Sequence, residues 1–214
     1  MDNMKGRWPI ENFFKIRAEK QEHIINAAFA VFGSNGYKKA SVADIADAAG
    51  ISKGMITYYF GSKKNLYLYL LEFSSKIILN SVQRHFDRSI TDFFDKIRIG
   101  TQVKVAAVEG HPAIMQFLMK VSTEQDPEVY EEIQSHFSAG MDTRNTILLD
   151  DTDLCKFKEG VDIQMIVKTL DWAAKGMMMD LELLENVDKM GELVEEFYKL
   201  LEFMRKAFYK EEAV

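Results

Sequence analysis

Three serines, Ser41, Ser52 and Ser62, each stand immediately before a short run of helix-compatible residues. Serine is a preferred N-cap, because its side-chain oxygen accepts a hydrogen bond from a free amide of the first helical turn. The first run, VADIADAA, stops at Gly50, and the second, KGMITYYF, stops at Gly61. Glycine ends helices because it enters the left-handed conformation without a Cβ clash. Three capped starts between positions 41 and 62 leave room for two very short helices, a tight turn between them and the start of a third. Asp44, three residues after Ser41, supplies the reciprocal half of a capping box near the positive helix end. Val42, Ile45, Ala46 and Ala49 share one face of the first short helix.

The remainder reads as longer helices. Only three prolines, Pro9, Pro112 and Pro127, interrupt 214 residues, and 47% of the residues are hydrophobic, which supports a sizeable core rather than disorder. Ile24, Ala27, Ala28, Val31 and Phe32 recur at helical spacing before Gly33 and Gly36, which are expected to end that helix. Further helices are expected over Leu66 to about Arg88 and Thr91 to Glu109, and others open at His111-Pro112 and Asp126-Pro127, since proline suits a first turn. Residues 150–160, DDTDLCKFKEG, read as a loop. Two last helices, roughly 161–185 and 189–209, part near Asn186-Val187-Asp188. No strand alternation stands out. The expectation is an all-α chain of about nine helices. A three-helix head over 1–66, with its motif at about 41–60, is followed by a larger helical bundle over 67–214.

The junction AGISKGMITYYF contains Gly50-Ile51-Ser52-Lys53-Gly54, which fits the G-x-S-x-G of a hydrolase nucleophile elbow. An elbow needs a strand before the serine and a helix after it, so that the hydroxyl stands above a sheet. Here a helical pattern precedes Ser52, and no βαβ pattern occurs in the chain. Helix, glycine turn, helix fits a DNA-binding helix-turn-helix instead, whose second helix presents its N-terminal residues to base edges. Lys53, Met55, Thr57 and Tyr58 are then the groove-facing residues, with Ser52 capping them. Gly54 permits close approach, and Tyr59 and Lys63 serve as phosphate contacts.

From Ile24 to about Phe73 the sequence resembles the N-terminal domain of TetR-family transcriptional regulators. The resemblance rests on three segments spaced without a gap: Ala27-Ala28 through Phe32 to Gly36-Tyr37, Ser41-Val42 to Ile45-Ala46, and Ala49 to Leu66. It implies a phosphate contact at Ser41, a recognition helix carrying Lys53, Gly54, Met55, Thr57 and Tyr58, and backbone contacts at Tyr59 and Lys63. Ile45, Ala46, Ile56, Phe60 and Leu66 become core. The chain departs from the family pattern at Thr57, where tyrosine is frequent, and at Met55, where threonine or serine is frequent. Met55 donates no hydrogen bond but can pack on a thymine methyl, so the operator does not transfer from a relative.

Charge agrees with that division. Residues 1–65 hold ten Lys/Arg against six Asp/Glu, a net of +4, and the rest hold seventeen against twenty-seven, a net of −10. A basic head on an acidic body places a polyanion at the head. Lys5, Arg7, Lys15 and Arg17 precede the matching segment and read either as a basic arm for an adjacent minor groove or, the favoured reading, as a frayed terminus with Trp8 and Phe13-Phe14 tucked on the body. Cys155 is the single cysteine, which excludes an intrachain disulfide. The N-terminus has no apolar leader-like run and no stretch approaches a membrane span, so a cytoplasmic location is expected. His23, His85, His111 and His136 are scattered, and none has a glutamate three residues before it, so no metal or other cofactor is expected.

The last two helices carry strong apolar stripes. The resemblance implies that they form a four-helix bundle with a second copy, through Ile166, Leu170, Ala173, Ala174, Met177, Leu181, Leu193, Phe197, Leu200, Leu201 and Met204. A two-fold homodimer suits a palindromic double-stranded DNA operator. A small apolar effector is expected in a pocket lined by Phe93, Phe94, Met115, Phe117, Met119, Trp172, Met177 and Met178, the methionines giving an adaptable interior. The expected function is therefore a ligand-responsive regulator, a repressor by the resemblance. The rival is a helical ligand-binding or enzymatic protein whose head no longer binds specific DNA.

Overall fold

The computed structural model describes residues 10–179 and 189–213. Among them lie nine α-helices: α1 Ala18–Lys39, α2 Val42–Ala48, α3 Lys53–Phe60, α4 Lys63–His85, α5 Phe93–Glu109, α6 Pro112–Thr123, α7 Tyr130–Leu149, α8 Ile163–Met178 and α9 Met190–Phe208. The fold is all-α, as expected. Leu181 and the expected break at Asn186-Val187-Asp188 lie outside the described residues. No described helix is long and apolar enough to cross a membrane.

The chain forms two compact units, one of residues up to Ile77 with Val108–His136, the other of Ile78–Ala107 with the residues from Phe137 onward. The boundary expected at 66/67 therefore moves. The head keeps the first half of α4 and recruits α6 and the start of α7. The reason is visible on α1. Gly33, expected to end that helix, lies inside it and is buried. A Cβ at Gly33 would stand 3.1 Å from both the Gln116 Cβ and the Phe117 backbone nitrogen of α6. Glycine there lets two helix backbones approach closely. Gly36, at φ +71°, is the residue that breaks α1.

Aromatic side chains fill the first unit. The Tyr67 ring meets Phe32 and Tyr37 at 5.0 Å and Phe117 at 5.1 Å, all with edge-to-face geometry. A second cluster lies beneath α3, where Phe13 meets Phe60 at 4.9 Å and Tyr69 at 6.1 Å. Phe13 is 1% exposed, so this segment packs within the first unit rather than on the larger body, while Trp8 lies outside the described residues. Such pairs contribute roughly 0.5–1.5 kcal/mol each beyond the area they bury.

The second unit closes differently. Phe93, Phe94, Phe157 and Tyr209 form its aromatic centre, with Phe157 and Tyr209 4.8 Å apart. The expected loop at 150–160 contains one turn of 3-10 helix and is stitched to the end of α9: Lys158 N–H donates to Phe208 O and Lys210 N–H donates to Lys156 O, both at 2.9 Å. Asp92, 6% exposed, accepts from Lys156 Nζ at 2.8 Å and from Arg205 Nη1 at 3.3 Å, and its Oδ1 accepts the Asp95 amide at 3.0 Å. Burial raises the Asp92 carboxyl, but those donors more than offset it and hold it below the ordinary carboxylate range.

Candidate nucleic-acid interface

The interface is built from the α1–α2 corner, α2 and the first turns of α3. Gly36 turns the chain out of α1, and Ser41 starts α2 with the expected capping box: the Asp44 N–H donates to Ser41 Oγ and the Ser41 N–H donates to Asp44 Oδ2, both at 3.1 Å. α2 ends at Gly50, whose φ of +60° provides the left-handed turn. Ile45 and Ala46 of α2 and Ile56 and Phe60 of α3 are buried, which fixes the two short helices on one apolar seam.

Ser52 occupies the N-cap of α3, but its hydroxyl accepts no capping hydrogen bond. Lys53, Gly54, Thr57 and Tyr58 are exposed and Met55 is half-buried, so one continuous surface carries all five expected recognition residues. Tyr58 is 59% exposed, unusual for so large a ring. Thr57 Oγ1 donates to the Lys53 carbonyl at 3.4 Å, which leaves both lone pairs of its hydroxyl able to accept. A Cβ at Gly54 would meet only the Ser52 Oγ, at 3.9 Å, so the groove of a duplex can come close. Uncapped amides at a helix N-terminus, an open serine and a free lysine together form a surface for phosphate oxygens.

Two expected phosphate contacts are corrected. Tyr59 is 2% exposed, with its ring 5.9 Å from that of Phe13, so it is core beneath the recognition helix. Lys63 Nζ donates to Tyr37 O at 3.0 Å and Ala40 O at 3.3 Å and sits 4.2 Å above the Tyr37 ring. Its charge is spent on closing the α1–α2 corner. Sequence reasoning passed over Lys38 and Lys39, which are exposed immediately before Ser41. The signal was the doublet in YKKAS, adjacent to the helix start that the capping box marks.

The second unit's expected sites are also redistributed. Ile166, Leu170, Leu201 and Met204 belong to its own core, and Phe197 and Leu200 pack against that core. Ala173, Ala174, Met177 and Leu193 are half-buried. The large exposed apolar side chains here are Met165 (48%) and Trp172 (65%) of α8, Met179 (53%), which caps it, and Phe203 (69%) of α9. Periodicity marked the denser stripe, and the chain's own core consumed it. The expected pocket residues fall in both units. Phe93 and Phe94 are core in the second; Phe117 and Met119 are buried on α6 in the first, with Met115 half-buried. Trp172 is at the surface and Met178 is half-buried. An open groove of about 450 Å³ lies in the second unit beside Arg98, Tyr198, Lys199, Glu202 and Phe203, and none of the expected pocket residues lines it.

Helix-turn-helix geometry on an all-α chain defines a helix-turn-helix head with an appended helical body. Residues 24–70 match the family described as bacterial regulatory proteins, tetR family. The chain is 25% identical over 138 residues to the HTH-type transcriptional activator FasR of Mycolicibacterium smegmatis, covering 64% of this chain and 63% of that protein. It is 33% identical over 60 residues to the HTH-type transcriptional regulator AcrR of Shigella flexneri, 28% of each chain. The chain thus matches less than two thirds of the length of these relatives. A TetR-family regulator from Chloroflexus aurantiacus shares the fold with a TM-score of 0.65 at 19% identity, covering 95% of this chain and 100% of that one. The similarity to the tetR family is thus carried by residues 24–70, the helix-turn-helix head.

Proposed function

We propose that this protein is a ligand-responsive transcriptional regulator that binds a palindromic DNA operator as a homodimer. The observation that carries the reading is the open face of α3. Lys53, Thr57 and Tyr58 are exposed around a serine cap with no internal partner, while the neighbouring cation, Lys63, is satisfied within the head. Base edges are assigned to Met55, Thr57 and Tyr58. Phosphates are assigned to Ser41, Ser52 and Lys53, with Lys38 and Lys39 added at the corner. The homodimer is proposed to form through α8 and α9, where Met165, Trp172 and Phe203 leave apolar surface exposed, with Met179 at the end of α8. A dimer seated over a promoter excludes polymerase, so the proposed action is repression. A small molecule held by the second unit is proposed to lift it, since effector and DNA affinities are linked by one coupling free energy.

The test is enrichment of genomic fragments on the purified full-length protein, followed by binding to the winning duplex at several salt concentrations. The expected result is one enriched palindrome, bound with an affinity that falls steeply as salt rises. A folded protein that enriches no sequence at low salt assigns the activity to the helical body and sinks the reading.

A further inference from the structure

We propose that Glu124 is a positioning residue for DNA recognition: its carboxylate fixes the α1–α2 corner, and with it the helix-turn-helix, to the end of α6. The proposal rests on the DNA-binding reading above.

Tyr37 follows Gly36, where α1 breaks, so its amide has no helical acceptor. Glu124, the residue closing α6, supplies one: its Oε2 accepts the Tyr37 N–H at 2.9 Å, across 87 positions of sequence. The other oxygen, Oε1, accepts the amides of Gln125 and Asp126, both at 3.0 Å. Three backbone donors therefore hold one carboxylate, which is aimed before it meets α1. A hydrogen bond to a charged group is among the stronger kinds in a protein.

The corner has little freedom left. Lys63 holds its other side through the carbonyls of Tyr37 and Ala40, and Ala40 leads directly into the Ser41 cap of α2. The close seam at Gly33 makes a second fixed point between α1 and α6, one turn before the corner. Two fixed points set the register of α6 along α1. A shift of α6 must then move the corner, and through it α2 and α3, or break the Glu124 contact. Glu124, Gly33, Tyr37 and Lys63 are not among the residues assigned to DNA. Their effect on DNA is therefore one of geometry.

The experiment compares wild type, Glu124→Gln and Glu124→Asp as full-length proteins. Anisotropy measures binding to the operator enriched by wild type and to a random duplex of equal length, alongside a thermal melt. Gln turns an amide NH2 toward one of the three backbone donors. Asp keeps the charge and the local turn but loses the reach to Tyr37. Both variants are expected to lose about tenfold in operator affinity, the size expected from one charge-assisted hydrogen bond. Random-duplex affinity is expected to stay within about twofold, because non-specific binding rests on the attraction of lysines for phosphates, whereas operator binding also needs the fit of α3 to base edges. Equal loss on both duplexes, or loss on neither, overturns the proposal, since a purely structural residue acts on both alike. If the melt shows Gln to be unfolded, Asp alone decides by the same two duplexes. A wild type that enriches no operator overturns the DNA reading itself, and this proposal with it.

Discussion

Both units hold internal ion pairs, as Lys64–Glu132 and Lys76–Glu72 do in the first, but they differ in the cations around their most characteristic features. In the second, cations are consumed internally: Arg205 pairs with Asp92 and Asp95, Lys156 with Asp92, Arg144 with Asp171 and Arg98 with Glu202. Lys96 is 4% exposed and donates to Thr152 Oγ1 at 2.8 Å. In the first, Lys38, Lys39 and Lys53 are exposed beside the helix-turn-helix and make no ion pair among the described residues. A cation with an internal partner is architecture. A row of cations left open around a helix N-terminus is a place for an outside anion. The net +4 of residues 1–65 is a modest excess, and it gains meaning once the internally satisfied Lys63 and Lys64, the latter paired with Glu132, are set apart from the free lysines.

The largest expected effect breaks the paired side. Asp92→Ala leaves Lys156 and Arg205 without their shared carboxylate, and removing one partner of a buried pair costs about 3–5 kcal/mol. Hydrogen exchange read segment by segment should speed up across α5 and α9 and leave residues 24–70 unchanged. Uniform acceleration would show that the two units do not carry separate anchors.

Next comes the floor of the recognition helix. Phe13→Ala removes a buried ring packed on Tyr59, Phe60 and Tyr69, with an expected loss of about 3 kcal/mol, read as a lowered midpoint in urea. A change under about 0.5 kcal/mol, the range of ordinary surface positions, would mean that the N-terminal segment is not part of the head.

Alkaline titration probes the same core. Burial, with Glu72 adding to it, pushes the Tyr69 hydroxyl up to about 12, and Tyr37 and Tyr67 are raised by burial as well. A raised folded pKa means that the unfolded chain releases its protons first. Stability is therefore full below about pH 10, the ordinary tyrosine value, and is lost as pH rises through the folded value. Tyrosinate absorbance and loss of helix should appear together above that point. Tyrosines titrating near pH 10 with helix intact would show that these rings are open to water.

The smallest effect lies on the open side. Lys53→Ala should weaken binding to all duplexes similarly and reduce the salt slope by about one, with the fold unchanged. Thr57→Ala should instead relax preference at particular bases. Lys63→Ala is expected to lower the stability of the head, because its donors hold the carbonyls of Tyr37 and Ala40. A Lys63 variant with full stability but a reduced salt slope would return that residue to the phosphate set.

What was legible follows the range of the forces. Capping at Ser41, the turn at Gly50 and the apolar seam of Ile45, Ala46, Ile56 and Phe60 depend on neighbours a few positions away, and all are found as read. Tyr59 and Lys63 were misplaced because their partners, Phe13 and Tyr37, are remote in sequence. Gly33 was taken for a helix end because its reason, the backbone of α6, lies more than eighty positions away. In the body, helix spacing identified the apolar stripes of α8 and α9. Spacing does not distinguish a stripe that meets its own chain from one that meets a second copy. That is why Leu170 and Leu201 were expected at an interface and lie in the core, while Trp172 and Phe203 lie outside.

One measurement addresses the central claim most directly: hydroxyl-radical footprinting of the enriched operator with wild type and with a Thr57→Ala, Tyr58→Ala double variant. Two symmetric protected patches are expected, about one helical turn, roughly 34 Å, or a multiple of it apart, both weakened in the variant. An identical footprint from the variant would contradict it, because the open face of α3 would then not be the surface that reads DNA.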